Sequence, residues 1–163
     1  MRRNLFLLIF LWWFVAASVH AAPCEGSVYR QFDFWLGNWT VKTPDGKEVA
    51  SSRIEREYAG CVIRERYEAV SGYQGESLNI FDVRRRIWHQ TWVDNTGTLA
   101  QLEGTLVDGK IVLEGQGASP SGEPRTNRIT WMPYPDGTVR QHWEVKGADG
   151  TWKTAFDGRY HRK

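Results

Sequence analysis

From residue 44 onward, turn-forming clusters cut the chain about every 11 residues. Pro44-Asp45-Gly46, Ala59-Gly60, Ser71-Gly72, Asp94-Asn95-Thr96-Gly97, Asp108-Gly109, Ser119-Pro120-Ser121-Gly122, Pro135-Asp136-Gly137 and Ala148-Asp149-Gly150 each supply a residue that tolerates positive φ or presets a reversal. The alternation between them also breaks at Arg84-Arg85-Arg86, which requires one more turn. Nine reversals divide the chain into ten strands.

The segments between turns alternate with a period of two. Val139, Gln141, Trp143 and Val145 share one face, and Arg140, His142, Glu144 and Lys146 the other. Trp152, Thr154 and Phe156 likewise oppose Lys153, Ala155 and Asp157. Only Tyr29 to Leu36 reads as helical, a short turn before the first strand. Ten antiparallel strands in an open sheet would leave two unpaired edges, and closure removes them. The expected fold is therefore all-β, an up-and-down antiparallel barrel of about ten strands, with a sandwich as the rival. Barrels of more than eight strands enclose more volume than side chains readily fill, so a cavity is expected.

The amino terminus has another character. Two arginines precede the apolar run Leu5 to Val15, and Val19-His20-Ala21 fits a small-x-small cleavage site. The run is shorter than the roughly 20 apolar residues needed to span a bilayer core. Residues 1–21 thus read as a cleaved signal peptide and 22–163 as one domain, periplasmic or secreted, with no membrane anchor. Proline at position 23 argues against lipidation of Cys24. The chain has 21 Lys+Arg and 19 Asp+Glu, and removal of Arg2 and Arg3 leaves 19 of each. A neutral domain has no field with which to hold nucleic acid. In an oxidising compartment the only two cysteines, Cys24 and Cys61, are expected to pair.

The first strand opens with Phe32-Asp33-Phe34-Trp35-Leu36-Gly37-Asn38-Trp39, whose Gly-x-Trp resembles the start of lipocalin and calycin barrels. Further strings follow in order, among them Gly60-Cys61-Val62-Ile63-Arg64-Glu65, Gly75-Glu76-Ser77-Leu78-Asn79, Trp88 to Asp94, Thr130-Trp131-Met132-Pro133 and Asp136 to Glu144. Together they resemble an exported bacterial lipocalin-like family catalogued as domain of unknown function 1579. The resemblance implies a barrel and export, and brings no assigned activity. A more distant resemblance is to nitrobindin-like barrels, which hold haem through a histidine near the C-terminus. His161 has the matching position, but alternation sets it on the charged face with Asp157 and Arg159, and no haem or other cofactor is expected.

Alternation also turns polar residues toward the core. Glu65 lies on the face of Ile63 and Tyr67, Ser77 and Asn79 on that of Phe81, Gln90 on that of Trp88 and Trp92, and Gln141 on that of Trp143. Arg56, facing in with Ile54 and Tyr58, is the expected counter-ion of Glu65. Buried polar groups cost free energy unless they satisfy one another or a ligand. Glu65, Ser77, Asn79, Gln90, Trp88, Trp92, Gln141, Trp143 and Arg56 are therefore the candidate ligand-binding set, suited to a small, partly apolar molecule. Two alternatives stand beside this reading: a ligand-free structural or interaction protein of the envelope, and an enzyme using Glu65 on a sugar or lipid derivative. Nucleophile-elbow, zinc-protease and phosphate-loop motifs are absent. His89 and His142 fall on outward faces, so no metal site is expected.

Overall fold

The computed structural model describes residues 23–119 and 121–163. The reading of residues 1–21 as a signal peptide lies outside them. Two 3-10 turns, Ser27–Arg30 and Asp33–Trp35, precede ten strands: β1 Gly37–Lys42, β2 Glu48–Glu57, β3 Val62–Ala69, β4 Gln74–Asp82, β5 Ile87–Asp94, β6 Leu99–Val107, β7 Lys110–Ala118, β8 Pro124–Pro133, β9 Val139–Lys146 and β10 Trp152–Arg162. Each strand pairs antiparallel with the next, and β10 pairs with β1, closing the barrel. Every backbone edge is thereby paired.

The turns form where the sequence places them. Asp108 and Gly109 both take positive φ, 48° and 75°, as a two-residue hairpin demands. Arg86 also takes positive φ, so the reversal at the arginine triplet is a real turn.

The N-terminal 3-10 turns plug one end of the barrel with aromatic rings. Phe32 stacks on Trp35 at 5.0 Å and meets Trp131 and Trp88 edge-on at 5.2 and 5.6 Å. Trp39 Nε1 donates to the Trp35 carbonyl at 2.9 Å, tying plug to first strand. The indole N–H groups of Trp35 and Trp131 are buried without an acceptor among the described residues, so aromatic packing must offset their lost hydration. The Cys24–Cys61 disulfide fastens the start of the described chain to the turn before β3.

Two expectations need correction. Arg56 forms its ion pair with Asp33 in the plug and donates to the Gly60 carbonyl at 3.1 Å; it is not the partner of Glu65. Asp33 lies in the local segment that Arg56 must hold down, an attachment that strand alternation alone does not reveal. The second correction concerns β10, whose register shifts between Thr154 and Phe156. This bulge leaves Phe156 inside and turns Trp152 outward, where Arg128 stacks over it at 3.9 Å. Beyond the bulge the alternation holds, and His161 pairs with Thr40 on the outer wall.

Candidate functional site

The registers of β2 to β5 bring the inward polar residues side by side. Glu65 is opposite Ser77, and Asn79 is opposite Gln90. Ile54 faces Glu65 from β2, so Ser52 on the same face stands one layer away. Glu65 Oε1 accepts from Ser52 Oγ at 2.8 Å, and Oε2 accepts from Ser77 Oγ at 3.3 Å. Asn79 Nδ2 donates to Ser77 Oγ at 3.0 Å and to the Ile63 carbonyl at 3.1 Å, while Gln90 Nε2 donates to Asn79 Oδ1 at 2.9 Å. Glu65, Ser77, Asn79 and Gln90 are 0–2% exposed. Four of the sequence-derived residues therefore form one sealed network.

Tyr160 extends it across the barrel. Its hydroxyl lies 3.2 Å from Glu65 Oε1 and 2.6 Å from Gln141 Oε1. A phenol has a single proton, so Tyr160 donates to one of these two acceptors at a time. Burial pushes the Glu65 pKa up to about 7 against the opposing hydrogen bonds from Ser52, Tyr160 and Ser77. No cationic side chain among the described residues reaches Glu65. Burial, and secondarily the charge of Glu65, raises Tyr160 well above the usual phenol range.

Above the network, the mouth of the barrel is lined by half-buried aromatic and small residues. Tyr67 stands between Tyr73, Trp92 and Phe156, with ring centroids at 6.3, 6.3 and 6.5 Å. Asp94 at the rim accepts from Tyr73 Oη at 2.8 Å and Trp92 Nε1 at 3.1 Å. Burial raises the pKa of Asp94, but hydrogen bonds from Thr96, Tyr73 and Thr98 outweigh it and hold the carboxyl well below the usual range. On the opposite wall Trp143 Nε1 donates to Asn127 Oδ1 at 3.1 Å. Beside Asn127 the inward positions of β6 and β7 hold only Ala100, Gly115 and Gly117, and Gly117 is exposed.

The candidate set thus divides by depth. Gln141, Trp92 and Trp143 are half-buried at the mouth, and Glu65, Ser77, Asn79 and Gln90 lie beneath it. Trp88 belongs to the plug, donating to Gln31 Oε1 at 3.0 Å, and Arg56 sits at that same end. Sequence reasoning missed Ser52, Tyr67, Tyr73, Tyr160, Asn127 and Phe156 as site residues. Tyr160 was detectable in principle, since it alternates with Phe156 and Gly158. Among the described residues no cluster of His, Cys, Asp and Glu is arranged to hold a metal ion. Two hollows, about 370 Å³ beside Arg66, Glu76 and Asn95 and about 510 Å³ beside the disulfide and Val83, open on the outside of the barrel rather than in the mouth.

No protein-family model matches this chain, and no curated protein matches it.

Proposed function

We propose that the protein is an exported binding barrel that holds a small, partly apolar molecule non-covalently in its mouth. The carrying observation is that Trp92, Trp143, Phe156 and Ala100 stay only half-buried on the inward face above the sealed Glu65 network. A barrel built only for packing would bury those side chains fully, as its plugged half buries Trp35, Trp131 and Leu113. Mixed aromatic and amide linings are typical of small-molecule sites. The disulfide supports export, as does the resemblance to an exported lipocalin-like family. N-terminal sequencing of protein recovered from the periplasm should begin at residue 22.

Native mass spectrometry of the purified protein, followed by a thermal-shift screen of neutral apolar compounds, tests the reading. A ligand at 100 times its Kd stabilises by about 2.7 kcal/mol, which appears as a clear rise in Tm. No retained mass and no shift across the screen contradicts the proposal. A ligand-free structural barrel is the second reading, and the sealing of the Glu65 network favours it. That sealing weighs against an enzyme using Glu65, because a general acid must reach its substrate.

A further inference from the structure

Two side-chain amides in the mouth have their carbonyl oxygens engaged and their amino groups unspent. The Asn127 carbonyl accepts from Trp143 Nε1, and an indole N–H can only donate, so the orientation of this amide is fixed. Its Nδ2 projects toward Gly117, lying 2.8 Å from where a Cβ on that glycine would be. The Gln141 carbonyl accepts from Tyr160, whose other contact is the Glu65 carboxyl. Neither Asn127 Nδ2 nor Gln141 Nε2 meets an acceptor among the described residues. The Tyr67 hydroxyl likewise has no hydrogen-bond partner among the described residues. Trp143 lies between the two amides on the face of β9 that continues from Gln141.

Resting on the binding reading above, we infer that the mouth selects a molecule with an apolar body and an oxygen acceptor, a carbonyl or a carboxylate, which accepts from Gln141 Nε2 or Asn127 Nδ2. Arg125, half-buried and paired with Gly117 on the inward face that Asn127 shares, can balance a charge on that oxygen. An ammonium would find amino groups where it needs acceptors. A pure hydrocarbon would bury both amides unpaired, at a cost of about 1–3 kcal/mol each. An oxygen acceptor relieves that cost.

Four probes of one shape test the inference by calorimetry: 2-acetonaphthone, 2-isopropylnaphthalene, 2-naphthoate and 1-(2-naphthyl)ethylammonium. The ketone should bind about fivefold to tenfold more tightly than the hydrocarbon, the value of one hydrogen bond, and both the ketone and the carboxylate more tightly than the ammonium. Gln141→Met should shrink that advantage by weakening the ketone and tightening the hydrocarbon, and Asn127→Asp tests the second donor without shortening the side chain. Equal binding of ketone and hydrocarbon overturns the inference and leaves the binding reading standing. Tightest binding of the ammonium overturns the ligand class. Failure of all four to bind contradicts both.

Discussion

Glu65 shows how one residue's surroundings set its proton. Its folded pKa of about 7 stands above the ordinary 4.5 because burial penalises the charge. A carboxyl with a raised folded pKa binds its proton more tightly in the native state, so its contribution favours folding at low pH. That contribution is lost as pH rises from about 4.5 to about 7, at up to about 3 kcal/mol for a shift of this size. Glu65→Gln keeps the shape without the ionisation. Urea unfolding of both proteins at pH 5 and pH 8 should show the variant gaining on the wild type at pH 8; parallel behaviour at the two pH values contradicts it. Tyr160→Phe removes a hydrogen bond that lowers the Glu65 pKa, so carboxyl NMR should find Glu65 titrating higher than in the wild type. The inward direction of Glu65 was legible in the sequence, since Ile63 and Tyr67 flank it at spacing two. Its partners across the barrel were not, because Ser52 and Tyr160 reach it through registers that no single strand encodes. For the same reason Arg56 looked available to Glu65, whereas Asp33 in the plug takes it.

At the scale of elements, glycines mark where strands and rings press together. A Cβ on Gly75 would lie 2.1 Å from the Trp92 ring, and one on Gly104 would lie 1.9 Å from the Val112 carbonyl oxygen. Gly75→Ala should displace Trp92 at a cost of about 1–3 kcal/mol, typical of overpacking, with a change in tryptophan fluorescence. Gly104→Ala meets backbone rather than a movable ring, so chemical denaturation should show the larger loss; equal losses would contradict this. Both glycines lie in strands and gave no turn signal, so their role was hidden in the sequence. The β10 bulge was hidden too, since Trp152, Thr154 and Phe156 alternate as a regular strand would. The hairpins were legible because each turn chemistry is local. The disulfide is the other element-scale device. It joins residues 37 apart, and closing such a loop is worth about 4 kcal/mol in the chain-entropy model. Reduction should lower Tm without opening the barrel, and far-ultraviolet circular dichroism should retain its strand signal below the new Tm.

The whole molecule is a cup: an aromatic plug at one end, a sealed layer of hydroxyls and amides around Glu65, and a mouth of indoles and small residues above. Closure was predictable because ten consecutive hairpin-spaced strands have no cheaper way to pair their edges. The division of the inward residues into a fully buried half and a half-buried one was not, because it depends on which inward positions meet at one height. Seven tryptophans follow residue 22, and they divide between the plug, the mouth and the outer wall. The most direct measurement is a ¹⁵N indole NMR titration with 2-acetonaphthone. The account predicts shifts in the Trp92 and Trp143 signals, with plug residues Trp35 and Trp131 and outward Trp152 unmoved. Shifts confined to Trp152, or no shift at saturating probe, would contradict a binding site inside the barrel.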